Sequence, residues 1–215
     1  YGAGRPEDAE IKYFDRRVLE EYGSLNGLRV TDLPNIEGVD KKDLYFYEYP
    51  DDNEITKLGL KGIYLDNYFP WSGISNLVIS QTLGFETNNK NILGTIANYE
   101  NLDNYVHGIH DYLKYLKFGF SRATDIACNL IRRNLLTRED ASIIVKDNDG
   151  LFPRSYMGKS LEKILSEYEI KIEEFNEICE DYTNFEIFKQ NEEGELLKRD
   201  DGSPILNTDF NIYSD

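Results

Sequence analysis

Both histidines of this 215-residue chain, His107 and His110, lie in one short stretch where a very acidic sequence turns basic. Residues 105–138 read YVHGIHDYLKYLKFGFSRATDIACNLIRRNLLTR. They carry Lys114, Lys117, Arg122, Arg132, Arg133 and Arg138 against Asp111 and Asp125, a local charge of +4 inside a chain of net charge −16. Such a reversal points to something anionic, such as a phosphate, a nucleotide or a carboxylated sugar. At about 100° per residue, Asp103, His107, His110, Lys114 and Lys117 fall on one helical stripe. Opposite them run Leu102, Tyr105, Val106, Ile109, Tyr112, Leu113 and Leu116. A charged stripe is usually a solvated face. Two histidines beside lysines also suit acid–base work or anion contact, because imidazole titrates near neutrality. Their spacing of three could suit a metal, but no third ligand lies nearby, so no metal is expected.

The start of the next helix extends the argument. Gly119-Phe120-Ser121-Arg122-Ala123-Thr124-Asp125 sets a glycine, two hydroxyls and an arginine at a helix N-terminus, where free N–H groups attract anions. Ordinary capping by Ser121, with Asp125 complementing the helix dipole, explains the same residues. Arg132 and Arg133 fit a helix's last turn without further purpose. Asp147-Asn148-Asp149-Gly150 lacks the spacing of a calcium loop and reads as a helix-ending turn. There is no nucleophile elbow, glycine-rich dinucleotide loop or Walker loop.

The elements that position these residues follow from periodicity and punctuation. Helices are expected at 7–22, 71–83 (closed by Gly84), 102–118 (ended by Gly119), 122–135, 155–167 and 172–182. Thr137-Arg138-Glu139-Asp140 caps another, ending before Asp147. Residues 43–49 could be a short strand or a turn of helix. Residues 61–68 read as a strand presenting Asp66 and Asn67 at its C-terminal end, where open α/β sheets bind ligands. Asn191-Glu192-Glu193-Gly194 and Asp200-Asp201-Gly202 are hairpin-turn signals.

Composition sets the outer bounds. Hydrophobic residues at 40% and aromatics at 13% argue for a folded protein. A pI of about 4.6 argues against nucleic acid as partner. Cys128 and Cys179 are too few for a disulfide framework, which suits a reducing, cytoplasmic setting. No apolar run is long enough to span a bilayer. The opening at Tyr1, without a methionine, is what an interior piece of a longer protein would have.

Several of these runs carry a resemblance. Tyr99-Glu100-Asn101-Leu102-Asp103, Gly108-Ile109-His110-Asp111-Tyr112-Leu113-Lys114 and residues 117–125 resemble the N-acetyl sugar amidotransferases. So do Ile131-Arg132, Thr137-Arg138-Glu139-Asp140-Ala141, Val145-Lys146, Asp149-Gly150 and Phe152-Pro153, with Tyr68-Phe69-Pro70-Trp71 upstream. The resemblance spans about residues 61–182. It implies a PP-loop ATP pyrophosphatase acting in bacterial surface-sugar pathways, including those of lipopolysaccharide and of pseudaminic or legionaminic acid. In such an enzyme ATP adenylates the acetamido oxygen of a nucleotide-linked or acidic amino-sugar. Ammonia from a glutaminase partner then displaces AMP and leaves an acetamidino group. The PP-loop and the cysteine pair that precede this region in the family are not in this sequence. The resemblance therefore implies a C-terminal part, with ATP and Mg bound mainly by an N-terminal part. At Asn134-Leu135 the family tends to have glycine and a basic residue, and the departure counts against a phosphate contact there.

Together these readings give an α/β fold, mostly helical: the end of a Rossmann-like PP-loop domain over 1–84, a helical region over 85–182, and an acidic tail with a hairpin over 183–215. His110 is assigned proton transfer or orientation. Glu100 and Asp103 are assigned hydrogen bonds to sugar hydroxyls or positioning of the basic groups. Lys114, Lys117, Ser121, Arg122, Asp125 and Arg138 are the substrate-binding set, with Lys117 and Arg122 as anion contacts. Arg122 and Asp125 could instead be a local ion pair tying two helices together. The alternative function is a non-catalytic helical module that docks a partner; a homo-oligomer is compatible with either.

Overall fold

A computed structural model describes residues 13–16, 30–35, 38–48, 50–69, 72–90 and 92–207. The chain divides into two compact units, Tyr1–Phe85 and Glu86–Asp215. Seven α-helices and two small sheets lie among the described residues.

In the first unit, β1 (Tyr13–Phe14) pairs antiparallel with β2 (Gly62–Ile63). Tyr13 and Phe14 fall inside the expected helix 7–22, nearly all the rest of which lies outside the described residues. Residues Lys41–Tyr47 form a 3-10 helix where a strand or helical turn was expected. Helix α1 (Asp52–Leu58) starts on the Asp51 carboxylate, which accepts from Asn53 N–H, and stops at Gly59, at φ 67°. Only glycine takes that left-handed angle without strain. Arg16 ties β1 to this helix through Asp52 at 3.0 Å and the Pro50 carbonyl at 2.7 Å.

The strand expected at 61–68 is only two residues long. Its pairing is antiparallel, and the chain turns at once into the 3-10 helix Leu65–Asn67. The Asp66 side chain lies outside the described residues. The parallel sheet of a Rossmann-like domain is thus not found among the described residues. Helix α2 (Gly73–Thr82) begins on Ser72 and lies where the sequence predicts. It buries no residue, and Val78, Ile79 and Leu83 remain exposed.

The second unit holds α3 (His107–Phe118), α4 (Arg122–Arg132), α5 (Arg138–Asn148), β3 (Ser155–Tyr156), β4 (Lys159–Ser160), α6 (Leu161–Ser166) and α7 (Ile172–Tyr182). Helix α3 starts five residues later than its periodicity suggests. The Asn104 side chain accepts from Val106 N–H at 2.9 Å, a local turn that competes with helix. Its apolar face, Tyr112 and Leu116, meets Leu161, Leu165, Phe175 and Cys179 in the main core. Burying such a set supplies most of the folding free energy, at about 25 cal/mol per Å² of apolar surface. A second cluster joins Ile92, Tyr156 and Ile164.

Gly119 closes α3 at φ 78°. Asn134 follows α4 at φ 56°. Asparagine is the side-chain residue that best tolerates that angle. Helix α5 begins on Thr137, whose hydroxyl oxygen accepts from Asp140 N–H. The helix expected at 155–167 is half hairpin: β3 and β4 pair around Met157 and Gly158, at φ 46° and 83°, before α6 begins.

Residues 184–207 pack into this same unit. Asn184 N–H donates to the Leu116 carbonyl at 2.9 Å, and Phe188 is buried against Tyr115. Three extended segments then close a ring of backbone bonds. Leu197 N–H donates to Lys189, Ile205 N–H to Leu197, and Lys189 N–H to Ile205. The two turns foreseen at 191–194 and 200–202 connect them, with Gly194 at φ 83° and Gly202 at φ 93°. Among the described residues no helix is long and apolar enough to cross a membrane.

Candidate functional site

The centre of the basic stretch is Arg122, at the first turn of α4. Its guanidinium grips Asp111 of α3 with two bonds, Nε to Oδ2 at 2.8 Å and Nη2 to Oδ1 at 3.0 Å. Asp111 is 4% exposed, so this is a nearly buried, bidentate pair. With its amide oxygen turned to the guanidinium, Asn101 accepts from Nε at 2.6 Å and Nη1 at 3.2 Å. Asn101 stands at φ 57°, and its carbonyl accepts from the Tyr156 hydroxyl at 3.2 Å. Gly108 lets that tyrosine ring close on α3: a Cβ there would stand 2.8 Å from the ring.

The same carboxylate holds a histidine. His110 Nδ1 lies 3.0 Å from Asp111 Oδ1, while its side chain stays 65% exposed. A buried carboxylate behind an exposed imidazole orients the ring and leaves Nε2 without a partner among the described residues. Burial works to raise the Asp111 pKa, but bonds from His110 and Arg122 outweigh it and hold the carboxyl below its usual range. Arg122 is desolvated too, yet the Asp111 pair keeps it fully charged. Glu100 is different. Burial raises its pKa, and the pull of Arg122 does not cancel that effect. A carboxyl perturbed by desolvation beside a cation is a candidate for acid–base work. Burial also pushes the Tyr156 hydroxyl up to about 12, keeping it a neutral donor.

The α4 N-terminus does not stand open to an anion. Asp149, buried at the end of α5, fills it: its carboxylate accepts from Ser121 N–H at 2.8 Å, Ala123 N–H at 3.0 Å and Thr124 N–H at 3.3 Å, and from the Thr124 hydroxyl at 2.5 Å. The anion expected at this helix start is part of the chain itself. The Ser121 side chain does not cap α4. It is buried, and its hydroxyl donates to the Asp111 carbonyl at 2.8 Å. The suggested Arg122–Asp125 pair is replaced by two others, Arg122–Asp111 and Lys114–Asp125.

The remaining stripe residues are distributed accordingly. His107 Nε2 meets exposed Asp103 at 3.1 Å. Lys114 also sits 4.9 Å over the Phe120 ring. Lys117 lies over the rings of Phe118 at 5.4 Å and Tyr182 at 5.9 Å, a cation–π setting. Arg138 is exposed at the first position of α5. The fold therefore gathers Glu100, His110 and Arg122. Asp103 joins His107 instead, and Ser121 and Lys114–Asp125 serve as links between α3 and α4.

Sequence reasoning missed Asp111, Asn101, Tyr156 and Asp149 as partners. Asp111 had a signal in being the one carboxylate beside His110. Asp149 had none in spacing, since its targets are 25 to 28 residues away in sequence.

With this geometry in view, residues 93–199 match the model of a protein family described as LPS biosynthesis protein WbpG-like, C-terminal domain. No curated protein matches the chain. The family match supports a role in LPS biosynthesis, and it covers every residue of the Arg122 cluster.

Proposed function

We propose, with that WbpG-like C-terminal domain as premise, that the chain is the C-terminal part of an ATP-dependent N-acetyl sugar amidotransferase. The observation that carries this reading is Arg122, bonded to the Asp111 that backs the exposed His110 imidazole and felt by Glu100, a carboxyl whose pKa burial raises. Replacing an activated acetamido oxygen by ammonia releases a proton from the attacking nitrogen. A base within reach of the reacting nitrogen must receive it. His110 and Glu100 are the two candidates, and Arg122, fixed by Asp111 and Asn101, faces the same ligand as a donor. The substrate is a nucleotide-linked or acidic amino-sugar, and the ammonia comes from a glutaminase partner in the cytoplasm.

The α4 N-terminus offers ATP no free phosphate site. The helix start that could cradle its phosphates is filled by Asp149, which is consistent with ATP and Mg being held mainly by an N-terminal part. A second reading, a partner-docking module without catalysis, is favoured by α2, which buries nothing and exposes Val78, Ile79 and Leu83. One experiment separates them. In the complete enzyme with its glutaminase, amidino-sugar formation is followed by mass spectrometry for His110→Ala and Glu100→Gln. Loss of product with retained folding supports the enzyme; undiminished product in both variants leaves the docking reading.

A further inference from the structure

Away from the Arg122 cluster, the described residues hold a concavity formed by another face of α3 with α7 and the ring of extended segments. It encloses about 390 Å³, within the usual range for small-molecule sites. Leu116, Phe152 and Cys179 give it an apolar floor, and Asn176, Glu180 and Lys198 stand at its rim. Tyr112 completes the floor. The residue is 5% exposed, and its hydroxyl makes no hydrogen bond among the described residues. Burial, then the nearby Cys179 and Asp201, drive that hydroxyl well above the usual phenol range, so it stays a neutral donor. A buried hydroxyl without a partner is rare in folded proteins and marks a place where a ligand atom or water completes the bond.

The lining selects the ligand. A purely apolar molecule would leave Tyr112 unsatisfied. A phosphate would meet the Glu180 and Asp201 carboxylates as well as Lys198 and Arg154, and the Arg154 guanidinium is already engaged with the Asp201 carbonyl. A ring with one C–H face and a hydroxylated edge fits both the floor and the rim of mixed donors and acceptors. We infer that this cleft binds a pyranose sugar, with Tyr112 donating to a ring substituent and Asn176, Glu180 and Lys198 holding the outer hydroxyls. The inference goes beyond the amidotransferase reading and does not need it. Asp111 and Tyr112 point from different faces of α3, so failure here leaves the Arg122 cluster untouched.

Saturation-transfer NMR on the full chain with N-acetylglucosamine and with glucuronic acid tests it, the two probes separating a neutral from a carboxylated sugar. The expected result is binding of at least one. Tyr112→Phe weakens it about tenfold while the Tm holds or rises, because the variant only removes an unpartnered hydroxyl. Asn176→Ala, on the exposed rim, weakens it without changing the fold. Two results overturn the inference: neither sugar binds at millimolar concentration, or binding is the same in both variants as in the parent.

Discussion

Replacing Asp149 with alanine removes the group on which the start of α4 is built. Four donors lose their acceptor: the N–H groups of Ser121, Ala123 and Thr124, and the Thr124 hydroxyl. Thr124 is half-buried, so water can partly replace its bonds. Ser121 and Ala123 are 1% and 0% exposed, so their N–H groups stay dry. Loss of a helix cap costs about 1–2 kcal/mol. Each buried donor left unmade adds about 1–3 kcal/mol. The sum for Asp149→Ala is about 3–8 kcal/mol, a Tm drop of roughly 10 °C or more in a unit of this size. Asp149→Asn keeps one acceptor oxygen, so it should lose about half as much. Urea melts of the full chain measure both, and amide exchange at Ser121 and Ala123 locates the loss. A change below about 1 kcal/mol for Asp149→Ala would refute the cap, and with it the claim that the chain supplies its own anion at α4.

Two further outcomes follow from the same geometry. The Asp111 pKa is lowered in the fold, so the stabilisation from its pair with Arg122 is full above the unfolded carboxyl value, near 3.9. It should vanish as pH falls through the depressed folded value. Asp111→Asn should flatten that acid limb in urea melts from pH 7 downward, and cost about 3 kcal/mol at neutral pH by stranding a desolvated guanidinium. Gly150→Ala should cost about 3 kcal/mol by the same assay. It adds a Cβ 2.3 Å from the Tyr115 ring at a residue with φ 78°; a loss under 1 kcal/mol would contradict the packing.

The helices α2, α3, α4, α5 and α7 were legible because local chemistry announces them: an apolar period of 3.6, a Ser72 or Thr137 at the start, a Gly119 at the end. The tail's turns were legible through their glycines. The β3–β4 hairpin was not. Its turn uses Met157 at φ 46°, where asparagine or aspartate would have advertised the left-handed angle. The strand at 61–68 failed because an apolar run does not say how many residues find a pairing partner. The basic stretch was visible as charge, but its meaning was not. Asp111, Asp125 and Asp149 neutralise it from positions that only the folded packing of α3, α4 and α5 brings close. What the fold leaves incompletely compensated is Glu100 and the outer face of His110, the two groups proposed to take part in the reaction.

Glu100→Gln tests that conclusion most directly, because stability and activity should move in opposite directions. Burial raises the Glu100 pKa, so its ionised form disfavours the fold. The contribution of Glu100 is best below the unfolded carboxyl pKa and is lost as pH rises through the raised folded value. At neutral pH the glutamine, of the same shape and uncharged, should therefore raise the Tm of the chain. In the complete enzyme it should abolish amidino-sugar formation. A variant that is both less stable and fully active would contradict the assignment of Glu100 to the reaction.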